Sequence, residues 1–269
     1  MPLTNAQIAA LTAIAGARSP ESYVGGSTPL NRDQSRYSFD IDIFNDNQER
    51  VALAADADAA SLNAAGFSVT WIRRLAGIHT AEAERAGESV KLDWVADSDF
   101  RFFPAVPDAL FGFMLHPVDL AANKAMAAAT RRELRDIVDL VTVHETVLPL
   151  GAVIWAAVEK SPGFTPEGLI GEIRRNSLHP RVAWEELRSS EPIDPDKTVQ
   201  LLHAALDAAE AFVLRMPTAN VGRLFLKDGK AVQPDPDRLG DYVEHEGKRR
   251  GHWPSSPEIA AAMMERYRS

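Results

Sequence analysis

The stretch 35-SRYSFDIDIFND-46 decides the fold, because it sets Asp40 and Asp42 on alternate positions inside an apolar run of Phe39, Ile41, Ile43 and Phe44. A buried charge is expensive, so geometry has to resolve the alternation. Successive side chains on a β-strand point to opposite faces. Read as a strand, the stretch puts Phe39, Ile41 and Ile43 on a core face and both carboxylates on the other. The same parity recurs in 90-VKLDWV-95, where Val90, Leu92 and Trp94 form the apolar set and Lys91 and Asp93 the polar one. If the two strands lie near each other in one sheet, Asp40, Asp42 and Asp93 converge on its open face. Three close carboxylates repel strongly at low dielectric unless something compensates them. A divalent cation does so, and Mg²⁺ favours carboxylate oxygens together with substrate phosphates. The alternative is the solvated face of an antiparallel sheet, where alternating charge needs no ligand.

Outward from this stretch the pattern mixes helix and strand. A helix is expected from a Thr4 cap through Ala15, on the spacing of Ile8, Leu11, Thr12 and Ile14. SYVGGSTPL reads as a short strand breaking into a Gly25-Gly26-Ser27 turn. Residues 47–65 are Ala-rich and helical, FSVTWIRRL is the next strand, and IHTAEAERAGESVKLDWV is a hairpin turning at Ala86 and Gly87. RFFPAVPDALFG reads as a loop. A helix then starts near His116, with Pro117 early in it, and runs through DLAANKAMAAA. RRELRDIVDLV continues it, either unbroken or after a kink.

From about residue 146 the chain reads as mostly helical, with starts at Thr165-Pro166, Asp194-Pro195 and Ser256-Pro257. One hairpin near 223–233 turns at Asp228-Gly229, and QPDPDRLGD reads as a surface loop. The expected fold is α/β (α+β): a small mixed-sheet core flanked by helices over 1–145, followed by a mostly helical domain over 146–269.

Composition limits the function classes. At 269 residues, 45% hydrophobic and 25% charged, the chain has the make-up of a globular protein with a substantial core. Its net charge of −9 argues against attachment to nucleic acid by bulk charge alone. The absence of cysteine excludes disulfides and thiolate metal sites. No basic region precedes the first apolar stretch, so no secretory signal is expected. LPLGAVIWAAV is too short for a bilayer, which needs about 20 residues. A cytoplasmic protein without a membrane partner is the expectation. The seven histidines have no metal-ligand spacing, and the five tryptophans read as core or interface residues. Arg174-Arg175, Arg181 and Lys248-Arg249-Arg250 are the candidate RNA footprints, against the plainer reading of a solvated face.

Two further features bear on phosphate. Glycines let the backbone approach a ligand closely, and N–H groups at a helix start suit an anion, which points Gly25-Gly26-Ser27 to phosphate beside the plainer reading of a common turn. If 118–139 is one helix, Lys124, Arg131 and Arg135 lie within about 40° of one stripe and form a cationic row. The alternative is a solvated helix in which Asp136 and Asp139 pair with arginines.

Taken together, GGSTPLNRDQSRYSFDIDIF, VKLDWV and DLAANKAMAAATRRELRDIVDL resemble the AbiEii-type nucleotidyltransferases of the polymerase-beta-like superfamily, over roughly residues 20–145. The resemblance implies that Gly26 and Ser27 hold nucleotide phosphates and that Asp40 and Asp42 bind the catalytic metals. It implies that Lys91 and Asp93 match the family's Lys-x-Asp strand, with Asp93 the third carboxylate. Lys124 matches a phosphate-contacting lysine, Arg135, Asp136 and Asp139 match the following Arg-Asp-x-x-Asp, and Ser38 matches a position that is often serine. Pro29 departs from the small helix-forming residue usual there. The resemblance further implies transfer of a nucleotide from a nucleoside triphosphate to an acceptor hydroxyl, with release of pyrophosphate. Two Mg²⁺ ions, or Mn²⁺, would assist. A toxin of the toxin–antitoxin type acting on tRNA is the leading expectation, with a cognate antitoxin as partner. A small-molecule or protein acceptor, and a non-catalytic nucleotide- or RNA-binding module, are the alternatives.

Overall fold

Helix α1 (Asn5–Ile14) begins where Thr4 closes a capping box: its hydroxyl accepts from the Gln7 N–H, and the Gln7 side chain accepts from the Thr4 N–H at 2.9 Å. The computed structural model describes residues 3–97, 100–161 and 163–249. Within it the chain divides into two units. One holds the chain up to Asp33, Tyr37–His116 and a strand at Lys248–Arg249; the other holds Gln34–Arg36 and Pro117–Gly247. Helices that the sequence pattern attaches to the first half therefore cluster with the second.

In the first unit α1 is followed by β1 (Ser22–Gly25), a single helical turn α2 (Ser27–Leu30), β2 (Asp40–Asn45) and α3 (Arg50–Ala64). Then come β3 (Ser68–Leu75), β4 (Ile78–Arg85) and β5 (Glu88–Ala96). Ala86 (φ 54°) and Gly87 (φ 80°) supply the left-handed pair that a two-residue hairpin needs between β4 and β5. The expected loop RFFPAVPDALFG instead contains the end of β6 (Phe100–Arg101), all of β7 (Val106–Asp108) and the start of β8 (Gly112–Met114). These strands are two or three residues long and interrupted by Pro104 and Pro107, so no period-two signal survives in the sequence.

The main sheet has the order β3-β4-β5-β2-β1-β8-β7, with β2 parallel to β5 and antiparallel to β1. One face is packed by α1 and α3: Ile41, Ile43, Val90, Leu92 and Trp94 meet Leu11, Ile14, Val51, Ala55 and Leu62. Phe39 does not join them. It lies just before β2, outside the pleat, and is 45% exposed. A buried ion pair crosses this core, with the Arg18 guanidinium donating to both Asp58 oxygens (2.5 and 2.6 Å) and Trp94 Nε1 donating to Asp58 at 2.7 Å.

The second unit contains α4 (Pro117–Thr130), α5 (Leu134–Thr146), α6 (Leu150–Ala157), α7 (Pro166–Asn176), α8 (Arg181–Glu185) and α9 (Pro195–Arg215). After them come β9 (Leu224–Lys227), β10 (Lys230–Val232) and β11 (Val243–His245), which form a separate three-stranded sheet. Thr165 and Asp194 cap α7 and α9 as their Pro-preceding positions predict, and Asp228 (φ 52°) with Gly229 (φ 75°) turns the β9–β10 hairpin. Ser256-Pro257, Arg250, His252 and Trp253 lie outside the described residues.

The helix over 118–139 is not continuous. It ends at Thr130 and restarts at Leu134 after an extended Glu133 (φ −119°, ψ 120°). The cationic row that one straight helix would make of Lys124, Arg131 and Arg135 is therefore absent. The short Gln34–Arg36 segment is fixed to this unit, with Arg36 donating to both Asp139 oxygens (2.8 and 3.0 Å) and Ser190 N–H donating to Ser35 O at 2.8 Å. No single described helix is long and apolar enough to cross a membrane.

Candidate active site

Parallel pairing of β2 with β5 sets Asp40 beside Lys91 and Asp42 beside Asp93. Residues opposite each other on paired strands share a face, so all four side chains leave the sheet on the side away from α1 and α3. Each of Asp40, Asp42 and Asp93 offers a carboxylate oxygen, and those oxygens lie within 4.8 Å of one another. Asp93 is buried, while Asp40 and Asp42 are half-buried. Lys91 answers part of the charge: its ammonium is bonded to Asp93 and stands 3.9 Å from Asp40. The three carboxylates and the Lys91 ammonium share this face. The donor set is all oxygen, clustered, and open on two of its three members, which fits a hard divalent cation such as Mg²⁺ or Mn²⁺.

The strand β1 brings Gly26 to the same place. Gly25 pairs with Asp42, and Gly26 follows with φ 66° and ψ −146°, a conformation essentially reserved for glycine. A Cβ on Gly26 would stand 1.8 Å from Asp42 Oδ2. Ser27 opens the single turn α2 and is buried. Ser38 is buried beneath the start of β2, where its hydroxyl donates to Asp40 O at 3.2 Å. Thr28, which the sequence did not single out, donates to the same carbonyl at 2.6 Å and lies 2.9 Å from Ser38 Oγ. These contacts hold the entry of β2 and with it the position of Asp40.

The other candidate residues gather in the second unit. Lys124 on α4 meets Asp139 (2.8 Å) and Asp136 (3.4 Å) on α5, and all three are buried. Arg131 bonds Asp136 at 2.6 Å, while Arg135 lies 3.8 Å from Glu133 and does not join the cluster. Arg36 completes it through Asp139. The helix break at 131–133 turns the first two turns of α5 so that Asp136 and Asp139 face Lys124. Asp136 and Asp139 do pair with arginines: Arg36–Asp139 lies in the interior, while Arg131 reaches the buried Asp136 from the surface.

Two residues beside the triad also escaped the sequence reading. The Thr80 hydroxyl on β4 donates to Asp93 Oδ1 at 2.5 Å, and Arg73 on β3 donates to Thr80 Oγ1 at 3.3 Å. The basic clusters proposed for RNA are largely committed to carboxylates: Arg174 to Asp207 and Glu210 (2.7 and 2.9 Å), Arg175 to Glu172, and Arg181 to Asp196 at 2.7 Å.

No family model matches the sequence, and no curated protein matches it. Among solved structures, JHP933 from Helicobacter pylori is similar with a TM-score of 0.49 and 14% identity, over 77% of this chain and 90% of that one. MenT4, a nucleotidyltransferase toxin from Mycobacterium tuberculosis H37Rv, is similar with a TM-score of 0.53 and 15% identity, over 80% of this chain and 83% of its own. By the second similarity, the chain has the fold of a nucleotidyltransferase.

Proposed function

We propose that the protein is a metal-dependent nucleotidyltransferase that moves a nucleoside monophosphate from a nucleoside triphosphate to an acceptor hydroxyl. The observation that carries this reading is the Asp40, Asp42 and Asp93 cluster, with its oxygens within 4.8 Å, directly beside the Gly26 turn. Asp40, Asp42 and Asp93 would hold one or two Mg²⁺ or Mn²⁺ ions, which when bound neutralise triphosphate charge and acidify the acceptor hydroxyl. The Gly26-Ser27 turn, with no Cβ on Gly26, lets the protein backbone lie against the Asp42 carboxylate and close to a triphosphate. Lys91 supplies a cation that is 46% exposed on the same face, suited to a phosphate oxygen. The acceptor oxygen forms its bond to the α-phosphorus as the bond to the pyrophosphate oxygen breaks, and rate comes from positioning and charge stabilisation. The family resemblance implies a phosphate role for Lys124; within the second unit its bonds to Asp136 and Asp139 give it a structural one.

For the acceptor we favour RNA, with tRNA as the leading candidate and a toxin activity checked by an antitoxin, on the family resemblance. MenT4 is named a nucleotidyltransferase toxin, in keeping with this reading. The net charge of −9 and the pairing of Arg174, Arg175 and Arg181 with carboxylates favour a second reading, a small-molecule or protein acceptor. The experiment is incubation with total bacterial RNA and each α-³²P-labelled nucleoside triphosphate, with Mg²⁺ or chelator and with Asp40→Ala/Asp42→Ala as control. Metal-dependent label in tRNA, absent from the control, is the expected result. Label on the protein or on an added small molecule alone selects the second reading, and no transfer to any acceptor leaves a nucleotide-binding module on the same fold.

A further inference from the structure

Thr80 stands directly across from Asp93 in the β4–β5 pairing and is 3% exposed. Its hydroxyl has one hydrogen and two lone pairs. A guanidinium only donates, so the contact from Arg73 to Thr80 Oγ1 occupies a lone pair and commits the hydroxyl hydrogen to Asp93 Oδ1. The other Asp93 oxygen, Oδ2, takes the Lys91 ammonium. The carboxylate is thus held at both oxygens by donors from two strands, and its rotation about χ2 is stopped.

Arg73 reaches this place through an irregularity. The β3–β4 register shifts between Trp71 and Arg73, so that Arg73, and not its neighbour, pairs with Thr80. A bulge adds a residue to one strand and re-aims the side chains beyond it. Without the shift, the pairing that sets Trp71 against Ala81 would bring Ile72 opposite Thr80. The chain Arg73, Thr80, Asp93 therefore depends on a departure from regular pairing at the edge of the candidate site.

We propose that Thr80 is a positioning residue, which orients the Asp93 carboxylate for a divalent metal, and that Arg73 fixes the direction of the Thr80 hydroxyl. The proposal rests on the metal-site reading above and adds the group that aims its third ligand. Hydrogen bonds of this kind to a ligand typically change metal affinity by 10–100-fold when removed.

The test is titration of the full-length protein with Mn²⁺ alone, by calorimetry and without nucleotide, for the wild type, Thr80→Val, Thr80→Ser and Asp93→Asn. Thr80→Val keeps the shape and loses the hydroxyl, so Mn²⁺ affinity is expected to fall about tenfold, with Thr80→Ser restoring it to within about twofold. In transfer assays kcat is expected to fall while the KM for the nucleotide holds. Thermal melts accompany each variant; should Thr80→Val not fold, Thr80→Ala against Thr80→Ser gives the same comparison. Wild-type Mn²⁺ affinity in the hydroxyl-free variant, beside its loss in Asp93→Asn, overturns the role of Thr80 alone. Wild-type affinity in Asp93→Asn overturns the metal site and the proposal with it.

Discussion

Gly26 and Asp42 approach so closely that a single methyl group on Gly26 would stand 1.8 Å from the Asp42 carboxylate oxygen and 2.7 Å from its Cγ. The turn and the acidic strand are therefore one device: the backbone that would accept a phosphate and the carboxylate that would hold a metal share a van der Waals surface. Gly26→Ala tests this. The backbone at φ 66° is strained for any L side chain, at a cost of about 1–3 kcal/mol, and Asp42 must move. A lowered thermal midpoint together with lost transfer is expected. A variant as active and as stable as the wild type would contradict the geometry.

Asp42→Asn separates charge from shape. It preserves volume on a half-buried position and removes one negative charge from the triad. Nucleotide transfer is expected to drop by at least about 100-fold, the scale of losing one preorganised electrostatic group, while the circular-dichroism melt stays close to wild type. Full activity in this variant would remove Asp42 from the chemistry.

Lys124→Ala is expected to destabilise the protein. Asp136 and Asp139 are fully buried, and Lys124→Ala removes one of the three cations paired with them; Arg131 and Arg36 keep each carboxylate paired, so the cost is about 2 kcal/mol, that of the charged hydrogen bonds lost, and not the larger penalty of an unpaired buried charge. Arg181→Ala, which breaks an exposed pair with Asp196, is expected to leave the urea midpoint where it is. Any change in nucleotide affinity of Lys124→Ala counts as a phosphate contact only at a temperature where the variant is folded. Equal midpoints for the two variants would show that the buried cluster does not hold the second unit together.

Much of this could be read from parity and turn chemistry. The alternation in 40-DIDI-43 and 91-KLDW-94 named the three carboxylates, because strand geometry leaves no other way to bury Ile41, Ile43, Leu92 and Trp94 together. Thr80 was within reach too. A two-residue turn at Ala86 and Gly87 pairs residues equidistant from it, which puts Thr80 opposite Asp93. Arg73 was not, since a register shift leaves no mark in a sequence that alternates on both sides of it. The break at 131–133 stood open as a kink against an unbroken helix, because Arg131, Arg132 and Glu133 are good helix formers; ion pairing of Arg131 and Lys124 to Asp136 overrides that preference. The short strands β6, β7 and β8 were missed because two or three residues cannot display a period.

The β7–β8 turn gives a pH signature. Burial by itself would raise the Asp108 carboxyl, but hydrogen bonds from the Phe111 N–H, from Arg32 and from the Leu110 N–H outweigh it and hold the group below the usual carboxylate range. A carboxyl depressed in the folded state stabilises above its unfolded pKa of about 3.9, and the gain is lost as pH falls through the folded value. Asp108→Asn keeps an acceptor for the two N–H groups and removes the charge. Its stability deficit is expected to be constant from neutral pH to about pH 5 and to shrink below about pH 4. A deficit unchanged down to about pH 2 would show that the charge does not matter there.

The most direct measurement is a crystal of the wild-type protein soaked with Mn²⁺ and a non-hydrolysable nucleoside triphosphate, with data collected for anomalous scattering. The expected result is one or two anomalous peaks about 2.1 Å from oxygens of Asp40, Asp42 and Asp93, with the triphosphate against Gly26 and Ser27. A nucleotide bound elsewhere, or no anomalous peak between β2 and β5 at saturating Mn²⁺, would contradict the metal centre and the nucleotidyl-transfer chemistry built on it.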